Sequence, residues 1–387
     1  MSQDKTYLET IRDESTLAKA SQGKATLATL LQSSDWKSAV SKWGRGQLLA
    51  HRVVCGRSVP YLPFLKKFQD PSVMDPNDCI ARLIEGPGRI DDVVHGAEAQ
   101  LVQHHQPESL GYVWAAMRPF LQQSRVLHTE AASQPSRERR PPQRYGGGVP
   151  SNQADLGSSP ESGQRPETSA SDSDFSSVGY TEKPGGLLLE EDTIQLASFF
   201  IRCVLNHAQA MDKRDPFLEF RSKRLLYSYR LGGPQNAFVN AVDDGGIQIY
   251  DSKRELLHQV ALLEGKRTFQ KITDGKADIS DELLGQMVGE ALALQQNSET
   301  TKNENRRTDF ITILAATHYL RLFHFHIPTD YVESYKALTG ISPSQTGLEG
   351  VLKVNSTDWL SMKQRDHREI LVSHLLALIH WANQELA

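Results

Sequence analysis

The sequence predicts an α/β protein in which a mixed central sheet flanked by helices follows a mostly helical segment and a flexible linker. Three observations predict this. Residues 1–128 space their apolar side chains three or four apart, as in TYLETIRDESTLAKA and DWKSAVSKWGRGQLLAHRVV, which is the helical period. Residues 129–186 are rich in Ser, Pro, Gly and Arg with few large apolar side chains, so they cannot bury a core and read as a disordered linker. Residues 187–387 alternate helical periods with Val-, Ile-, Phe- and Tyr-rich runs, the order of an α/β domain.

Before residue 129 no strand-rich segment is evident, and Pro60, Pro63, Pro71, Pro76 and Pro87 divide the helical run into short pieces. Glu190–Ala208 reads as an amphipathic helix whose acidic first turn suits the positive end of the helix dipole. Ala237–Tyr250 and His258–Arg267 read as strands joined through DSKRELL in a hairpin. Asp281–Gln296 is helical by the spacing of Leu284, Val288, Ala291 and Leu292. Phe310–Ile327 is dense in β-formers and reads as two strands, while Tyr331–Leu338 and Arg365–Glu385 read as helices.

Composition narrows the function classes. Forty-three basic against 47 acidic residues give a net charge of -4, which excludes a polycation and requires any nucleic-acid surface to be local. Cys55, Cys79 and Cys203 form no CxxC pair, so neither a disulfide framework nor a structural zinc cluster is expected. No apolar run approaches the roughly 20 residues of a membrane span, and the charged start MSQDKTYLETIRDE lacks a signal-peptide core. The expectation is an intracellular protein, nuclear or cytoplasmic, neither secreted nor membrane-bound.

The sharpest constellation is Glu264-Gly265-Lys266 at the end of the apolar run Val260–Leu263. Residues two apart on a strand share a face, so Glu264 and Lys266 are neighbours. A hairpin symmetric about Arg254 sets Asp244 opposite Glu264, and two converging carboxylates can hold Mg²⁺ through hard oxygen ligands. Asp243 is a competitor for that role if Gly245-Gly246 forms a bulge. The same D/E-x-K spacing occurs at Asp35, Asp251 and Asp274, but only Glu264 ends a run with the signature of a buried strand. His324 and His326 form an H-x-H pair without a third ligand nearby in the sequence, which reads as packing. Tyr227 and Tyr229 read as packing residues before base-stacking ones.

The order of helix, strand with Asp, strand ending in E-x-K, helix and further strands resembles the PD-(D/E)XK nuclease superfamily, particularly the divergent nuclease-like domains of many fungal proteins. AFVNAVDDGGIQIY, VALLEGKR, DELLGQMVGEALA and FITILAATHYLRLFHFHIPTDYVESY carry the resemblance over residues 187–387. It implies a restriction-endonuclease-like core, Mg²⁺ or Mn²⁺ bound by Asp244 and Glu264, catalytic assistance from Lys266, and a nucleic-acid substrate, DNA before RNA. Asp243 stands where the pattern has proline. By the same resemblance Glu190 or Glu191 supplies an acid from the first helix, Gln286 matches a glutamine of RecB-type nucleases, and Glu290 stands where those have tyrosine. Arg267 is a further phosphate-contacting candidate. The competing expectation is a catalytically inactive nuclease-like scaffold that meets a protein partner through its helical N-terminal region.

Overall fold

The computed structural model describes residues 5–69, 78–126, 188–210, 212–213, 215–231, 238–273, 275–298, 307–339 and 348–386. The linker expected at 129–186 lies outside the described residues. The N-terminal part is built of short helices, α1 (Tyr7–Thr10), α2 (Glu14–Ser21), α3 (Leu27–Leu31) and α4 (Arg45–Ala50), with a 3-10 turn at Val40–Lys42. Strand β1 (Val53–Cys55) follows, then α5 (Pro63–Lys66), α6 (Asp78–Glu85), α7 (Ile90–His95), α8 (Glu98–His104) and α9 (Glu108–Val126). Local chemistry sets these starts: Asp13 accepts from the Thr16 amide at 2.8 Å to cap α2, and Pro63 opens α5, where its missing N–H costs nothing.

The second part begins with α10 (Glu190–Ala208), β2 (Phe217–Arg221), β3 (Leu226–Arg230), β4 (Phe238–Val242), β5 (Gly245–Tyr250) and β6 (Leu256–Lys266). It continues through β7 (Lys271–Thr273), β8 (Lys276–Asp278), α11 (Asp281–Ser298), β9 (Asp309–Ala316), β10 (Tyr319–His326), α12 (Thr329–Thr339), β11 (Leu352–Ser356), β12 (Leu360–Ser361) and α13 (Arg365–Glu385). The main sheet is mixed, in the order β1-β11-β10-β9-β6-β5-β2 with β12 beside β10. Within it β6 runs parallel to β9 and antiparallel to β5, and β1 runs parallel to β11.

Two sequence expectations need correcting. The expected absence of strands before residue 129 fails at β1, whose three buried residues are too few to show a period of two. The arm expected to run unbroken from Ala237 to Tyr250 is two strands: β4 pairs with β3 in a separate two-stranded sheet, and β5 joins the main one. The break falls at Asp243-Asp244, and Gly245 makes it possible. Its φ of 143° suits glycine, and a Cβ there would lie 2.8 Å from the Arg221 carbonyl oxygen.

Alternation along the strands sorts side chains to two cores. On β9, Ile311, Ile313 and Ala315 join the cluster with α10 and α13, while Phe310 and Leu314 join that with α11. Residues Leu62–Leu121 contribute to the first cluster and Tyr7–Cys55 to the second, so the N-terminal helices cover both faces of the sheet. The contact with α11 is close. A Cβ on Gly285 would lie 2.7 Å from the Trp43 carbonyl oxygen and one on Gly289 2.4 Å from Val40 Cγ1. Alanine gains about 1 kcal/mol of helix propensity over glycine, but overpacking against backbone costs about 1–3 kcal/mol. Gly285→Ala is therefore expected to lower the midpoint of urea unfolding, and a raised midpoint would show that the turn yields.

Candidate functional site

The site forms where β5 begins and β6 ends. Asp251 accepts from the amides of Lys253 at 2.9 Å and Glu255 at 2.7 Å, with Arg254 at φ 68°, and this turn joins β5 to β6. Gly245 faces Leu263 and Gly246 faces Leu262, the pairing symmetric about Arg254. The irregularities fall farther along, between Ile247 and Gln248 and between Ile249 and Tyr250, so no bulge at Gly245-Gly246 displaces the acids. The Asp244 amide donates to the Leu263 carbonyl at 3.0 Å, which brings Asp244 to the mouth of β6.

The adjacent acids face different partners. Asp243 has no exposed surface, and four donors fill its carboxylate: Arg221 Nη1 at 3.0 Å and Nη2 at 2.5 Å, the Leu225 amide at 3.0 Å and Tyr227 Oη at 2.9 Å. Asp243 is thus a tie between β4 and the segment Arg221–Tyr227, and its place as a competing metal ligand is withdrawn because its oxygens are fully engaged. Asp244 turns instead across β6. Its Oδ2 accepts from the Gly265 amide at 2.9 Å, and its Oδ1 lies 3.0 Å from Arg224 Nη2. Glycine is required at 265, since a Cβ would meet Ile194 Cγ1 at 2.4 Å. Asp244 also borders an open cleft of about 630 Å³ lined by Glu191, Ser198, Arg202 and Arg224.

Glu264 and Lys266 share a strand face as their spacing requires. Lys266 Nζ donates to Glu264 Oε1 at 2.5 Å, and the two residues are only 6% and 2% exposed, lysine first. From α11, Gln286 Nε2 donates to Glu264 Oε1 at 2.7 Å and to Glu290 Oε1 at 2.9 Å. In the sequence Glu290 stands only as a departure from the tyrosine at that position; the signal that places it beside Gln286 is the spacing, since residues four apart share a helix face. Glu290 is completely buried, and its Oε2 has no hydrogen-bond partner among the described residues.

Electrostatics follow from burial. Burial pushes Glu264 up to about 7, the attraction of Lys266 opposing it and the charge of Asp244 adding to it. Burial together with the Glu264 charge raises Glu290 well above the carboxylate range. Glu190, the first residue of α10, is raised by burial and feels Lys266, Asp244 and Arg224. Lys266 is raised despite burial, because Glu264 holds its charge, so at neutral pH it is a donor and not a base. Of the two first-helix acids, Glu190 lies 3.9 Å from Arg224 and feels Lys266, while Glu191 is exposed and lines the cleft beside Asp244. Arg267 is exposed beyond the end of β6 and is not brought into the cluster.

The tyrosines are packing residues as expected: Tyr227 serves Asp243, and Tyr229 Oη lies 2.8 Å from Tyr335 Oη. Among the described residues, the sets of three or more His, Cys, Asp or Glu ligand atoms within 4.8 Å of one another are Cys79, Cys203 and His207, and Asp309, His324 and His326. Neither set includes Asp244 or Glu264. No helix of the described residues is long and apolar enough to cross a membrane. Comparison with protein-family models, curated proteins and solved structures found no match.

Proposed function

We propose that this protein is a Mg²⁺-dependent nuclease that hydrolyses phosphodiester bonds of nucleic acid, DNA before RNA, on a restriction-endonuclease-like core within residues 187–387. One observation carries the reading. The Asp244 carboxylate is hydrogen-bonded to the amide of Gly265, the residue between Glu264 and Lys266, so the acid at the break before β5 meets the end of β6 that carries the second acid and the lysine. The connectivity supports it too: α10 leads into β2, β5 and β6 in an antiparallel series, α11 follows, and β9 lies parallel to β6.

The residues fit a hard divalent cation. Glu190, Asp244, Glu264 and Glu290 stand against Lys266 and Arg224, and burial first, with the neighbouring acids adding to it, raises Glu264 and Glu290. Asp244 and Glu264 would hold the ion through carboxylate oxygens. When bound, Mg²⁺ or Mn²⁺ supplies a Lewis acid for the water and the phosphate oxygens. Lys266, kept charged by Glu264, orients the water and supports the charge that builds on phosphate. Gln286 fixes the Glu264 carboxylate, and Arg202 and Arg224 give the cleft beside Asp244 a cationic wall.

A specific observation favours a second reading, a non-catalytic scaffold. Asp244 already faces Arg224, and Glu264 already faces Lys266, so each acid has a counter-ion within the chain. Cleavage of single- and double-stranded DNA and RNA with Mg²⁺ or Mn²⁺ separates the two. The expected result is metal-dependent cleavage by the wild type, stopped by chelation and reduced on the order of 10²–10³-fold in Lys266→Met. No cleavage of any substrate by folded wild type would favour the scaffold.

A further inference from the structure

The H-x-H pair that the sequence leaves without a third ligand acquires one from the neighbouring strand. In the β9–β10 register His326 lies directly opposite Asp309, and His324 is two residues away on the same face. Asp309 Oδ1 lies 2.7 Å from His324 Nε2 and 3.0 Å from His326 Nδ1. We propose that Asp309, His324 and His326 bind a divalent transition-metal ion, zinc by the chemistry of the donors, with water completing the coordination.

The geometry requires little change. Metal bonds of about 2.0–2.2 Å place tetrahedral ligand atoms roughly 3.3–3.5 Å from one another, so each imidazole need move away from Asp309 Oδ1 by less than about 1 Å. Two imidazoles and one carboxylate are a borderline donor set that suits zinc better than Mg²⁺ or Ca²⁺. The surroundings orient the ligands. Thr308 Oγ1 donates to Asp309 Oδ2 at 2.7 Å, leaving Oδ1 to the imidazoles, and Phe64 stacks on His324 with ring centroids 4.3 Å apart. Such outer contacts hold the carboxylate and the His324 ring plane in place. Binding through His324 Nε2 puts the ring proton on Nδ1, which is buried with no partner among the described residues, a cost that lowers affinity.

The His326 side chain is 37% exposed, which gives an entry path and an open coordination position. The nearby cations are engaged elsewhere. Arg307 donates to the carbonyls of Asp309, Gln259 and Val260, and Lys67 sits over the Phe64 and Phe68 rings. Both charges lower affinity without blocking the ligand atoms. The site is separate from the acid cluster: Glu264 pairs with Leu314, five residues along β9 from Asp309, or roughly 17 Å at about 3.3 Å per residue. The proposal does not depend on the nuclease reading.

The test is titration of the full, untagged, chelator-treated chain with Co²⁺, followed by ligand-field absorption, and equilibrium dialysis against Zn²⁺. Wild type and Glu264→Gln are both expected to show the bands of a four- or five-coordinate N/O site, with one such ion per chain in Glu264→Gln, where the acid cluster has lost a ligand. His326→Ala and Asp309→Asn are expected to weaken binding at least about tenfold, and Thr308→Val, which keeps all three ligands, by a smaller factor. Absence of binding by wild type, or binding that neither His326→Ala nor Asp309→Asn weakens, would overturn the assignment.

Discussion

Glu264→Gln is expected to reduce metal-dependent cleavage by on the order of 10²–10⁴-fold while leaving the fold intact. The amide oxygen still accepts from Lys266 and Gln286, which now reach Glu264 Oε1 at 2.5 Å and 2.7 Å, but the charge that would hold the cation is gone. The same variant carries a stability signature. The Glu264 carboxyl rises from 4.5 to about 7 on folding, so the folded chain holds its proton more tightly than the unfolded chain does. Its favourable contribution is complete below about pH 4.5 and is lost as pH rises through about 7, a change of up to about 3 kcal/mol. Unfolding in urea without metal across pH 5–8 should therefore lose part of its pH dependence in Glu264→Gln. Unchanged cleavage would remove Glu264 from the chemistry, and an unchanged pH profile would mean that the wild-type carboxyl ionises normally.

The second large effect belongs to the neighbouring acid and concerns stability. Asp243→Ala is expected to destabilise the chain by about 3–5 kcal/mol, because it leaves a buried charge without its partner. Arg221, whose side chain is 8% exposed, loses both of its bonds to the carboxylate, and its Nε already lacks a partner among the described residues. The Leu225 amide and Tyr227 hydroxyl are stranded with it. Adding Arg221→Met should restore part of the loss, since the unpaired guanidinium is then also removed. Asp244→Ala should invert the pattern, with a smaller loss of stability and a larger loss of cleavage. The pair is measured by urea midpoints beside cleavage rates. A fold loss in Asp244→Ala with a neutral Asp243→Ala would reverse the two assignments.

The contrast marks what the sequence could and could not tell. Glu190–Ala208 was legible at both ends because an acidic first turn and an unbroken amphipathic period delimit it. The β5–β6 register beside the site matched the pairing symmetric about Arg254, although the pairs nearer the turn are shifted, and Glu264 and Lys266 fell on one face as period two demands. The choice between Asp243 and Asp244 was not legible. It rests on Arg221, twenty-two residues from Asp243, and on a glycine with positive φ, and neither leaves a periodic trace. The edge strands β1 and β2 were missed because three or five residues are decided by their neighbours in the sheet. Asp309 was recoverable in principle: a tight turn at Thr317-His318 sets β9 against β10 and puts Asp309 opposite His326. Mixed α/β architecture follows from local pattern, whereas the site depends on meetings between distant residues.

The division of the two cores bears on what counts as a unit of this protein. Tyr7, Trp43 and Val53 lie in one buried cluster with Leu262, Met287 and Phe323, and Leu65, Trp114 and Phe120 lie in the other with Phe200, Ile313 and Trp381. The segments before residue 127 and after residue 187 therefore make one folding unit rather than two: the later segment supplies most of both interiors, and the earlier one closes each of them from outside, as a jacket does.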